Sequence, residues 1–247
     1  MKTFGTLLKH ELKLNIRDMN MVIFAVLMPL TVLVIIGIIY QTRPAFDGAE
    51  YTFVEQSLGA VSAISICAGG LMGLPIIVSD YRERKILKRF QVTPVSPAML
   101  LGVEFVIYVL YAMASLLTLI PAAMLFWGFT MRGSWISFLG SWFLTLLSTL
   151  SIGMMVGGIA RNTKSAGVIA SILYFPMLVF SGTTLPFEVM PDTMQRLVRV
   201  FPLTQGIQLM KASSLGLRIE NAWAPVTVMV AVTVVCTAVA LRRFQWE

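Results

Sequence analysis

MNMVIFAVLMPLTVLVIIGIIYQT, the run from Met19 to Thr42, contains no Asp, Glu, Lys or Arg. A helix needs about 20 apolar residues to cross the hydrocarbon layer of a bilayer, and this run is long enough. In lipid a backbone must satisfy its own hydrogen bonds, which a helix does within one segment. The run does not read as a cleaved signal peptide. Its apolar part is too long, a charged segment precedes it, and Gln41-Thr42-Arg43-Pro44 offers no small-residue cleavage site.

Working outward, five more charge-free runs follow: Gln56 to Ser79, Phe105 to Met131, Gly133 to Ala160, Ser165 to Phe187 and Asn221 to Leu241. The 247 residues are 57% hydrophobic and 13% charged, against about 25% charged in soluble domains. So few charges, bunched between long apolar runs, exclude a water-soluble domain. The net charge of +7 then concerns membrane topology and lipid headgroups rather than nucleic acid. Cys67 and Cys236 both fall inside spans and form no disulfide framework or metal-ligand spacing. The expected fold is an all-α membrane protein of six transmembrane helices, a single permease-like domain over residues 1–247.

Lys and Arg counts set the orientation. With the N-terminus inside, thirteen basic residues fall in cytoplasmic segments and six outside, which predicts both termini on the cytoplasmic side. Trp127, Trp135 and Trp223 would then form an outer aromatic belt.

Three stretches are not spans. Residues 1–18 predict an interfacial amphipathic helix, with Phe4, Leu8, Leu12 and Ile16 on one side and Lys9, Lys13 and Arg17 toward anionic headgroups. Residues 80–104 form the largest cytoplasmic connection. There Ile86, Leu87 and Phe90 give a short charged helix an apolar edge, Thr93-Pro94 breaks it, and Ser96 caps a helix that Pro97 begins. A lever and a solvated positive loop are both compatible with that pattern. Residues 186–220 are expected to form short external helices on or dipping into the outer leaflet. One would follow Pro191, with Val189, Met190, Met194, Leu197, Val198 and Phe201 on its apolar face, and Pro202 would stop it; a second would run from Thr204 to Lys211.

Small residues recur every fourth position in the fourth run, at Ser137, Ser141, Thr145, Thr149, Gly153 and Gly157, and more briefly at Ser65, Gly69 and Gly73. Such rows bring helices close in lipid, either within a chain or in a dimer. No phosphate-binding loop is present, and His10 stands alone without a metal-ligand cluster. Read from charge to charge, no run holds an ionised group near its middle, which disfavours an ion-driven carrier and a self-contained enzyme.

Two stretches carry a family resemblance. Arg82-Glu83-Arg84-Lys85-Ile86-Leu87-Lys88-Arg89-Phe90-Gln91-Val92-Thr93-Pro94-Val95-Ser96 is similar to the cytoplasmic "E-R-E-x-G-T-L-E-x-L-x-x-T-P-V-S" segment of ABC-2 type ATP-binding cassette exporters, departing from it at Lys85-Ile86. Phe175 to Gly182, followed by Pro186, Glu188, Pro191 and Phe201-Pro202-Leu203-Thr204, resembles the family's later Pro-Ser-Gly-Pro signature. The chain therefore resembles the membrane subunit of such exporters over essentially its full length.

The resemblance implies coupling to an ATPase through Arg82, Glu83, Arg84, Lys85, Ile86, Leu87, Arg89, Phe90, Thr93, Pro94 and Ser96. It implies an external gate at Pro176, Ser181, Gly182, Pro186, Glu188, Pro191 and Pro202. Gly69, Gly73, Gly153 and Gly157 would serve helix packing or a dimer. No cofactor is expected in this chain; ATP and Mg would sit on a soluble P-loop ATPase present in two copies. A second permease subunit, as homo- or heterodimer, and membrane lipid complete the partners, in the inner membrane of a prokaryote. The expected cargo is hydrophobic or amphipathic: a drug, antibiotic, peptide or lipid. The alternative is an ATP-independent carrier or membrane scaffold.

Overall fold

The computed structural model describes residues 2–17, 19–46, 48–84, 96–181, 190–217 and 222–243. A helix at Lys2–Arg17 precedes six helices long and apolar enough to cross a membrane. These are Met19–Tyr40, Phe53–Glu83, Pro97–Trp127, Trp135–Ile159, Thr163–Phe180 and Trp223–Arg243, hereafter the first to sixth spans. Between the fifth and sixth lie Asp192–Val198 and Pro202–Leu215. The only strand-like pairing among the described residues is one bridge, Pro44 with Thr52. The all-α fold and the six spans are as the charge-free runs predict.

Each helix starts or bends for a local reason. Thr52 and Glu55 form a reciprocal capping box that opens the second span at Phe53. Ser96 accepts from the Met99 N–H at 3.1 Å, with Pro97 at the first position, as the sequence predicts. Two wide π turns, Ile23–Leu27 and Ala68–Gly73, each end two residues before a proline, Pro29 and Pro75. A proline ring clashes with the carbonyl four residues back, and widening the preceding turn relieves that clash.

The second span is the hub. Its apolar window is 78% buried, against 17% for the fifth and sixth spans. It packs against the first, third, fourth and fifth spans and against Pro202–Leu215. The small-residue row of the fourth span forms its seam. A Cβ on Gly153 would meet the Gly70 carbonyl, one on Gly157 would lie 2.7 Å from Val78, and Thr149 sits against Gly70. Gly69 and Gly73 seat the Tyr108 ring: a Cβ added at either would lie 3.1 or 2.6 Å from its atoms. The four glycines expected to serve packing or a dimer are thus used inside this chain, and in lipid such close approach is what holds helices together.

Helix Pro202–Leu215 is longer than the Thr204-to-Lys211 expectation. It is mostly buried. Gly206 lies against Thr145, and Met210 against Gly59. Its C-terminal end is tied to the third–fourth turn, where the Arg132 N–H donates to the Ser214 carbonyl at 3.0 Å. Thr145 is ten residues into the fourth span, or about 15 Å at 1.5 Å per residue. The helix therefore lies alongside roughly the first 15 Å of the fourth span. Of the apolar face expected for Asp192–Val198, Met190 and Val198 are buried while Leu197 is exposed.

The N-terminal helix departs from the expected apolar side at Ile16, which is exposed. Phe4, Leu7, Leu8 and Leu12 pack on the core, and the helix lies along the third span. Its outward apolar residues are Leu14 and Ile16. Trp127 fills the notch at Gly37 of the first span, whereas Trp135 and Trp223 are exposed.

Candidate functional site

Alternation of the spans places the N-terminal helix, Arg82–Arg84, the fourth–fifth turn and the end of the sixth span at one end of the bundle, called here the basic end. The close approach of Gly158 to Ala240 shows this directly.

At the basic end the second span reaches two other helix termini. The Arg82 guanidinium donates from Nη1 to the Ala160 carbonyl at 3.0 Å and from Nη2 to the Gly158 carbonyl at 3.1 Å. These carbonyls close the fourth span, where a helix runs out of intrahelical donors and carries partial negative charge. Glu83 Oε2 accepts from the Thr163 N–H at 2.8 Å and from the Thr163 hydroxyl at 2.6 Å. Thr163 is the first residue of the fifth span, the positive end of that helix. A cation on a C-terminus and an anion on an N-terminus clasp the fourth–fifth turn from both sides. Arg84 pairs instead with Asp80 at 2.8 Å.

Arg82 and Glu83 thus bind the neighbouring spans of their own chain. Four hydrogen bonds tie the basic end of the second span to the end of the fourth span and the start of the fifth. Lys85, Ile86, Leu87, Arg89, Phe90, Thr93 and Pro94 lie outside the described residues.

Next to this clasp is a cavity of about 730 Å³. Its apolar wall is built from the first span (Phe24), the second (Met72), the third (Tyr108) and the fifth (Tyr174 and Phe175). Both π turns face it, through Phe24 of one and Ala68, Met72 and Gly73 of the other. Asn20, Asp80 and Arg84 edge it toward the basic end. The two charges are paired with each other, so the wall offers amide and ion-pair contacts at one end and aromatic and thioether surface elsewhere. Methionine and aromatic walls adapt to molecules of differing shape. Phe24 and Phe175 are also more than half exposed on the bundle surface, so the cavity borders the lipid-facing side.

The residues expected at the external gate are spread along the chain. Pro176 lies inside the fifth span and Ser181 is its buried C-terminal neighbour. Pro191 caps Asp192–Val198, and Pro202 is buried at the deep end of its helix. Gly182, Pro186 and Glu188 lie outside the described residues.

Two carboxylates were missed by reading spans from charge to charge. Glu55 is buried within the second span, accepting from the Thr52 N–H at 2.7 Å and the Thr130 hydroxyl at 2.9 Å, with Arg132 at 3.7 Å. Glu104 is completely buried in the third span and accepts a 2.6 Å hydrogen bond from the Tyr81 hydroxyl. Thr52-Phe53-Val54-Glu55 and Ser96-Pro97 already signalled helix starts upstream of both.

Comparison with known proteins agrees with this architecture. The profile of the ABC-2 type transporter family matches residues 2–215. An inner membrane transport permease of Escherichia coli K12, YhhJ, is 26% identical over 209 residues, 82% of this chain and 54% of the relative. A probable multidrug ABC transporter permease of the same organism, YbhS, is 24% identical over 66% of this chain and 43% of its own length. A putative transport permease of Bacillus subtilis, YvfS, is 23% identical over 78% of this chain and 77% of its own. The chain thus spans about half the length of the two Escherichia coli relatives.

Proposed function

The chain belongs to the ABC-2 type transporter family, and on that premise we propose that it is the membrane subunit of an ATP-driven exporter of hydrophobic or amphipathic cargo. The observation that carries the cargo class is the 730 Å³ cavity, apolar and aromatic along its length with a self-neutralised Asp80–Arg84 pair at one end. A bare ion or a sugar finds polar partners only at that one end, whereas an apolar body with a small polar head matches the whole wall. The name of one relative, a probable multidrug permease, supports the same class.

In this reading the basic end faces the cytoplasm, in keeping with the Lys and Arg bias, and the membrane is the inner membrane of a prokaryote. ATP and Mg bind a separate P-loop ATPase, two copies of which dock below a pair of permease subunits. Their closure pushes the segment after Arg84. The second span tilts, the Arg82–Glu83 clasp carries the fourth and fifth spans with it, and the cavity between the first, second and fifth spans changes shape. The half-buried helix Pro202–Leu215 and the prolines around it form the outer gate.

A second reading, an ATP-independent carrier, draws support from Glu104, since a buried carboxylate within a span is a group that proton-coupled carriers use. One experiment separates the two. Inverted membrane vesicles containing the chain and its co-expressed ATPase are expected to accumulate an amphipathic fluorescent dye only with ATP. Met72→Trp, which fills the cavity, is expected to reduce that uptake severalfold while the protein still purifies as a folded complex. Uptake that ignores ATP and collapses with the proton gradient would replace the exporter by the carrier.

A further inference from the structure

We propose that Glu11, Tyr81 and Glu104 form a proton-binding site in which a single shared proton latches the N-terminal helix onto the second and third spans. The site holds whichever source of energy drives transport, because it rests on three side chains and their protons.

The Tyr81 hydroxyl is 2.6 Å from Glu104 Oε1 and 3.2 Å from Glu11 Oε2. Tyr81 is 6% exposed and Glu104 is fully buried, while Glu104 Oε2 has no hydrogen-bond partner among the described residues. A phenol has one proton and donates it once. Two ionised carboxylates on either side of it would leave one facing the hydroxyl lone pairs, and would set a partly buried charge beside a fully buried one. One added proton resolves both problems. A carboxylic acid on one side donates to the phenol oxygen, and the phenol donates to the carboxylate on the other. The chain of donors runs equally well in either direction, so the proton belongs to the pair.

Among the described residues, nearby charges do not supply the missing neutralisation. On the N-terminal helix Lys9, His10, Lys13 and Arg17 are exposed. On the second span Arg82 and Glu83 are bound to the fourth–fifth turn, and Asp80 is paired with Arg84. Lys164 of the fifth span lies on the Glu83 side. Among the described residues of the third span the charged group at this end is Glu104 itself, and Glu55 belongs to the opposite end of the second span. The first and fourth spans, which also pack here, carry no charged residue.

With the proton present, the triad ties the N-terminal helix to the two spans that flank the coupling segment. Without it, the carboxylates repel and the helix keeps its apolar contacts, those of Phe4, Leu7, Leu8 and Leu12 among them.

The test uses the full chain in lipid nanodiscs, with Cys67 and Cys236 replaced by Ala and spin labels at Lys9→Cys and Arg161→Cys, two exposed positions. Dipolar distance distributions are recorded from about pH 5 to about pH 9, a range in which ordinary carboxyl groups, with a pKa of about 4.3, are already largely ionised and carboxyl groups raised by burial titrate. The expected wild-type result is one narrow distance at low pH that broadens at high pH. Glu11→Gln and Glu104→Gln supply the extra donor permanently and should stay narrow throughout. Tyr81→Phe removes the bridge and should be broad throughout. His10→Gln should respond as the wild type does. Should Glu104→Gln fail to fold, Glu11→Gln on the half-exposed helix makes the same prediction. A pH-independent wild-type distribution, glutamine variants that titrate like the wild type, or loss of the response in His10→Gln would each overturn the site.

Discussion

Replacing Arg82 by methionine keeps an unbranched, apolar stem and deletes the guanidinium that holds the Gly158 and Ala160 carbonyls. Both residues are buried, and they belong to the end of a helix whose last carbonyls have no intrahelical donor. A hydrogen bond from a charged donor contributes roughly 1.5–3 kcal/mol net. Arg82 is half-exposed, so water replaces part of what is lost, and the expected cost for the two bonds together is about 2 kcal/mol. For a chain of this size that corresponds to a fall in Tm of about 4–8 °C. Arg82→Lys keeps the charge but not the planar fork, reaches one carbonyl, and should lose about half as much. Thermal unfolding of the purified chain in one detergent, followed by intrinsic tryptophan fluorescence, gives both numbers. If Arg82→Met unfolds within about 1 °C of the wild type, the clasp contributes nothing and cannot carry motion between spans.

Two further outcomes follow from packing and orientation. Gly153→Ala places a methyl on the Gly70 carbonyl and should destabilise the chain severely, whereas Gly140→Ala, with nothing within 4 Å of the added carbon, should be neutral or slightly stabilising; parallel thermal melts check the pair. Single cysteines at exposed Arg161 and at Gly128 should label from opposite faces of the membrane with an impermeant maleimide, Arg161 from the cytoplasmic face; the reverse pattern would invert the orientation.

The spans were legible because lipid tolerates few charges, so the runs from Met19 and Gly133 nearly coincide with helices. The same logic hid Glu55 and Glu104, since a run read from charge to charge ends at a carboxylate even when the helix continues through it. Local capping signals at Thr52 and Ser96 point the other way, and combining them with the runs recovers both residues. The π turns have a signal too, in Pro29 and Pro75 near positions that must bend. Helix Pro202–Leu215 was expected to be shorter, and its burial depends on Gly206 meeting Thr145 and Gly59 meeting Met210, contacts that no local pattern encodes. The partners of Arg82 lie 76 and 78 residues away. From sequence its charge pointed to solvent or a partner protein, whereas the fold spends it on the end of a neighbouring helix.

The central claim, a transporter subunit energised from outside this chain, is tested most directly by purifying the tagged chain from native membranes in a mild detergent and identifying what accompanies it. The account predicts a soluble P-loop ATPase in equal amount to the permease, with ATP hydrolysis by the complex that depends on the segment following Arg84. Recovery of a monodisperse, folded chain with no ATPase, under conditions that preserve other membrane complexes of the same cell, would contradict it.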